Sequence, residues 1–160
     1  MSAQAIFTQR YREKYGDIAA GVNPTYDLLL ATFNVGEAGF VTVGPDKFPE
    51  APSIWGGVGS NNTLQSDDVT ANRLNAVTGK AIGGANISHD GAGKVTIVCK
   101  LAANEAELDG QGIVNGGGSD SHLFEIAVFD TDGDMMVYGT FDEEIKLAGK
   151  AIDLTVVVTY

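Results

Sequence analysis

The sequence predicts an all-β fold, mainly an antiparallel β-sandwich, with a short N-terminal helix and long glycine-rich loops. Three observations predict it. Several stretches alternate apolar and polar residues with period two, the pattern of a strand with one buried face. The chain holds 21 glycines without a Gly-X-Y period, so they read as turn residues. Hydrophobic residues make up 44% and charged residues 19% of 160 residues, enough to bury a core as one domain over residues 1–160.

In chain order, Gln4 to Tyr15 reads as a helix. Phe7, Tyr11 and Tyr15 recur at i, i+4 and i+8, and Gly16 supplies a stop, which bounds the helical segment at 1–16. Thr25 to Val35 is apolar on both faces, which suits a central strand. Gly36 to Gly39 turns the chain, and Phe40 to Val43 is a short β-rich piece ended by Gly44-Pro45. Prolines and glycines then interrupt the chain up to Gly59, a loop anchored by Trp55. From Ser60 to Asp90 the only local signal is Ser66 as a cap for a helical turn carrying Val69 and Leu74, broken by Gly79, Gly83 and Gly84. Residues 44–92 are therefore expected to form a long loop or projecting contact arm.

Lys94 to Leu101 alternates cleanly as a strand. After the link Gly110 to Gly118, Leu123 to Phe129 and Met135 to Phe141 flank Asp130-Thr131-Asp132-Gly133-Asp134. Asp-Gly between two β-rich runs predicts a hairpin with a type I′ turn. Ile152 to Tyr160 alternates as a last strand. No internal repeat or linker divides the chain.

The net charge of −11, from 21 acidic and 10 basic residues, repels phosphate backbones and anionic lipid surfaces. Neither nucleic acid nor a membrane is expected as partner. The basic cluster Arg10, Arg12 and Lys14, interleaved with Tyr11 and Tyr15, reads as a solvated helix face. Cys99 is the only cysteine and sits in an alternating apolar run, so it reads as a small buried hydrophobe. With no basic-then-apolar leader and no span-length apolar run, the chain reads as soluble and assembled in a cytoplasm.

Asp130, Asp132 and Asp134 match the first ligand positions of a calcium loop. The glycine falls at position 4 instead of 6, however, and Phe141 stands where a bidentate glutamate belongs. A hairpin turn with solvated acids is the expectation, with a weak calcium site as the alternative. His89 and His122 read as solvated loop histidines, and no nucleophile-elbow Gly-x-Ser-x-Gly accompanies them. Gly56 to Ser60 and Gly116 to Ser119 lack the lysine and helix of a phosphate loop. Glu105 with Glu107, or Glu143 with Glu144, are nominal carboxylate pairs only, and Asp142 to Glu144 reads as an exposed charge run. No catalytic, cofactor-binding or metal-binding residue is expected, and the chain reads as a non-enzymatic protein.

His122 to Phe141 as a unit resembles the "EIGxFDxDGxLxxxGxF" segment of bacteriophage tail-collar and tail-fibre proteins. Lys146, Ala148-Gly149 and Ile152 to Tyr160 answer to the lysine, turn and final strand that follow it in that family. The start of the chain is similar more loosely, through its helix, Leu28 to Phe33, and Val-Gly-Glu-Ala-Gly-Phe at Val35 to Phe40. The resemblance implies a virion structural protein of the tail, baseplate or fibre attachment, assembled in the host cytoplasm. Its partners would be other virion proteins and copies of itself, in a trimer or ring. Fibre proteins continue into a shaft and tip; because this chain stops at Tyr160, a small attachment, adaptor or capsid decoration component is expected. The expected contact residues are Tyr11, Tyr15 and Trp55. A carbohydrate-binding module, using Trp55 with Tyr26 or Tyr138, is a further alternative.

Overall fold

In the computed structural model, which describes residues 3–23, 25–53, 57–58, 79–110 and 112–160, the alternating stretches become strands of antiparallel sheets. The first elements are β1 (Ala3–Phe7), α1 (Gln9–Ala19), β2 (Leu30–Gly36), β3 (Phe40–Val43), β4 (Asp46–Pro49), β5 (Pro52–Ser53) and β6 (Gly57–Val58). There follow β7 (Lys80–Ala81), a 3₁₀ turn at Gly84–Asn86, β8 (Ile87–His89), β9 (Lys94–Leu101), β10 (Glu107–Leu108) and β11 (Ile113–Val114). The chain closes with β12 (Ser121–Asp130), β13 (Met135–Lys146) and β14 (Ile152–Thr159).

A five-stranded sheet has the order β1-β13-β12-β2-β7, and a three-stranded sheet the order β14-β9-β8. They share one core. Phe33, Val35, Leu123, Ile126, Val128 and Phe141 come from the larger sheet, and Ile97, Cys99, Leu101, Leu154, Val156 and Val158 from the smaller. The far face of the larger sheet buries a second cluster, Ala127, Phe129, Met135 and Tyr138. That is why β12 is a nearly unbroken apolar run while β14 alternates: β12 is covered on both faces, β14 on one. The all-β architecture with one short helix is as the sequence predicts.

Several boundaries differ from expectation. The helix runs from Gln9 to Ala19, and Ala3 to Phe7 is a strand, with Phe7 paired to Val137. Thr8 decides this. Its hydroxyl accepts from the Tyr11 amide at 3.3 Å and donates to the Met135 carbonyl at 2.6 Å, while its own amide donates to Met136. The helix therefore starts only after Thr8. Gly16 lies inside the helix, and Gly21, at φ +71°, follows its end.

β2 begins at Leu30, five residues later than expected. The span 44–92 is not one long loop where it is described. It holds β4, which closes a hairpin with β3, and β7 and β8, which edge the two sheets. Trp55 and the helical turn expected from Ser66 lie outside the described residues. The link Gly110 to Gly118 contains β11, paired with β10.

The turn between β12 and β13 is not type I′. Gly133 has φ +85°, but Asp132 keeps a negative φ. The Gly133 amide donates to the Asp130 carbonyl at 3.1 Å, which places Asp first and Gly fourth, the preference of a type I turn. A register shift between Val128 and Phe129 absorbs the resulting mismatch.

Candidate functional site

Arg10 and Lys14 stand four residues apart on α1, hence on one face, and that face meets the turn between β12 and β13. The first carboxylate oxygen of Asp130 accepts from the amides of Asp132 (3.0 Å) and Asp134 (2.9 Å). This fixes the second oxygen 2.6 Å from Lys14 Nζ. Asp132 and Asp134 reach the same nitrogen at 2.9 and 2.6 Å. Three ammonium protons thus meet three carboxylates.

The Lys14 and Asp130 side chains have no exposure, whereas Asp132 is 53% exposed. Burial opposes the charge on Lys14, but the hydrogen bonds it donates to the three aspartates outweigh it and raise its pKa above the ordinary lysine value. Burial likewise works against ionised Asp134, yet Lys14 and Arg10 lower its pKa. Arg10 Nε lies 3.2 Å from Asp134, and both cations sit over the Tyr26 ring. The solvated helix face and the solvated acids expected from sequence are therefore corrected in part: Lys14 and Asp130 are buried against each other at the centre of one knot, whereas Arg12 and Asp132 stay exposed as expected. The carboxylate oxygens lie within 4.8 Å of one another, as ligands of a small cation would. The ammonium fills that place.

On the side of α1 facing the smaller sheet, aromatic rings line an open groove. Phe7 stacks on Tyr11 with centroids 4.2 Å apart, and Tyr15 continues the row 6.4 Å beyond. Tyr160 meets the edge of Phe7 at 6.0 Å, stacks on His89, and bonds its hydroxyl to His89 Nε2. Tyr11, Arg12, Tyr15 and Tyr160 enclose about 470 Å³. Tyr11 and Tyr160 also border an adjoining cavity of about 330 Å³ lined by Leu28, Leu30, Ile87 and Val95.

Tyr11 is half-buried, and burial, with the nearby Tyr15 and Tyr160, raises its phenol pKa. Tyr15 and Tyr160 remain 58% and 61% exposed. Of the expected contact residues, the structure brings Tyr11 and Tyr15 into this groove, while Trp55 is outside the described residues. Sequence reasoning had Arg12 beside these tyrosines, as a solvated helix face, but missed Tyr160 as the opposite wall and His89 as the ring stacked on it. The one available signal was Tyr160 at the end of an alternating strand. Such a groove can bind through ring faces and a guanidinium.

Several other titratable residues have structural partners. His89 and His122 lie in β8 and β12, not in loops, and take different partners: Tyr160 for the one, Glu143 for the other. Glu105 pairs with Lys80 at 2.9 Å. Glu107 is buried and accepts from the amides of Gly149 and Gly118, which depress its pKa. It ties β10 to the turn before β14. A side chain at Gly117 would strike the Leu108 backbone at 2.6 Å, so this glycine serves a close backbone approach.

Burial pushes the Cys99 thiol up to about 12, in keeping with a small buried hydrophobe. Tyr138 is wholly buried and bonds to Glu125, so it offers no face to a sugar. No protein-family model matches this chain, and no curated protein or solved structure matches it either.

Proposed function

We propose that this chain is a structural component of a bacteriophage particle, in the tail, baseplate or fibre attachment, working through protein contacts and not through catalysis. One observation carries the reading: the two stretches that resemble tail-collar and tail-fibre proteins, distant in sequence, pack as a single unit. β1 and β2 flank the β12–β13 hairpin, and α1 is pinned to its turn through Lys14. The part of the chain that carries the resemblance is thus also the centre of the larger sheet. The exposed aromatic groove supplies a contact face of the composition that interface cores favour.

Immunogold electron microscopy tests the reading, with antibody against the purified chain applied to virus particles from cells that express it. Label on the tail, baseplate or fibre base is the expected result. Label spread over the head would move the protein to capsid decoration. A chain found only in the soluble fraction, with unlabelled particles, would overturn the reading.

A further inference from the structure

The two sheets end together around an apolar space. Leu30, paired with Asp130, opens β2, and Phe7 closes β1. Val95, near the start of β9, pairs with Val158 near the end of β14. Phe7, Leu30 and Val95, with Leu28 and Ile87, line the cavity of about 330 Å³. Ser88 and His89 add polar atoms to this lining, and His89 Nε2 is already bonded to the Tyr160 hydroxyl.

The helix α1 runs over the same end. Lys14 anchors it to Asp130, while Tyr11 lines both this cavity and the outer groove. Tyr160 also lines both. At these two tyrosines the apolar interior adjoins a mouth bordered by Tyr15 and the exposed Arg12. Each space is of the size that small-ligand pockets have, roughly 300–1,000 Å³. Such pockets favour the mouths of β-barrels and set a few polar groups in an apolar lining, as this end does.

We propose that this end of the molecule binds a small amphipathic carboxylate, a medium-length aliphatic chain with one anionic head. The chain lies among Phe7, Leu28, Leu30, Ile87 and Val95, and the carboxylate meets the Arg12 guanidinium beside Tyr15. An aliphatic body suits the inner cavity better than a sugar, whose hydroxyls would give up water there for few partners. A carboxylate suits the mouth better than an ammonium, because it matches the guanidinium fork. The net charge of −11 repels anions in general, so a preference for an anion has to come from a cation at the site. The site goes beyond the virion reading and does not depend on it.

Isothermal titration of the full chain with decanoate, decanol and decyltrimethylammonium, each below its micelle-forming concentration, tests this. Decanoate should bind about tenfold tighter than decanol, and the ammonium most weakly. Shortening decanoate to octanoate should weaken binding by about tenfold. Arg12→Gln should bring decanoate down to the level of decanol. Lys150→Gln, an exposed cation beyond the other end of β14, should leave it unchanged. Ser88→Trp puts a bulky ring into the inner cavity from an exposed strand position and should abolish binding of all three. Circular dichroism checks that each variant folds. Absence of decanoate binding overturns the proposal. So does decanoate binding no tighter than decanol, an equal loss in Lys150→Gln, or binding that survives Ser88→Trp. The immunogold result bears on none of these, and none of them bears on the virion reading.

Discussion

Lys14 holds the N-terminal helix to the sheet, and its surroundings set the cost of losing it. Lys14→Met leaves the buried Asp130 beside two further carboxylates without their cation, a change of about 3–5 kcal/mol. Urea unfolding measures it, and a loss under about 1 kcal/mol would mean that the knot is solvated. Thr8→Val removes a helix cap and a buried hydroxyl donor together, and should cost about 1–2 kcal/mol in the same experiment. Asp134 and Glu107 have folded pKa values below the ordinary carboxylate range. What they contribute is present above an unfolded pKa of about 4 and is lost as pH falls through the depressed folded values. Stability measured down an acid series should decline below about pH 4, and less steeply in Glu107→Gln. Lys14, with its pKa raised, contributes below the unfolded lysine value and loses that contribution only in strong alkali. The knot itself was not legible in the sequence. Spacing places Arg10 and Lys14 on one helix face, but whether that face meets water or carboxylates more than a hundred residues away is a tertiary fact.

At the scale of elements, legibility followed the range of the forces involved. β9 and β14 were readable because alternation alone marks a one-faced strand, and they pair over eight consecutive positions. β5, β7, β10 and β11 were not readable. Each is two residues long and is defined by a partner elsewhere in the chain, with no local period to reveal it. The helix was found but placed too early. Phe7 to Tyr11 keeps the i, i+4 spacing across a strand-to-helix junction, so the aromatic stripe gave no hint that its first member belongs to β1. The hairpin β3–β4 leaves Val41, Val43 and Phe48 exposed, and two strands so placed are marginal alone. Its amides should exchange with deuterium well before those of β12, which is buried on both faces. Equal protection in the two would show that the hairpin is held by more than its own pairing.

For the molecule as a whole, the larger sheet joins the first strand to the thirteenth and the second to the twelfth, so beside the local β12–β13 hairpin it depends on pairings between distant parts of the chain. Folding should accordingly be slow for the chain's size, in milliseconds to seconds, as stopped-flow Trp or Tyr fluorescence would report. Cys99 lies in the core shared by both sheets with no exposure. A thiol reagent should therefore label it only at the rate of global opening, and labelling faster than unfolding would reveal a local route into the core. The all-β class was legible because it needs only composition and period; the way the sheets share their core was not, since it depends on which strands meet. The Lys14 knot has one more consequence at this scale. The aspartate cage takes its counter-ion from a lysine of its own chain, at fixed stoichiometry, so no chelator can strip it and no dilution can empty it. Melting of the chain should be the same with and without EDTA, leaving the fold indifferent to the divalent-ion supply of whatever compartment surrounds it.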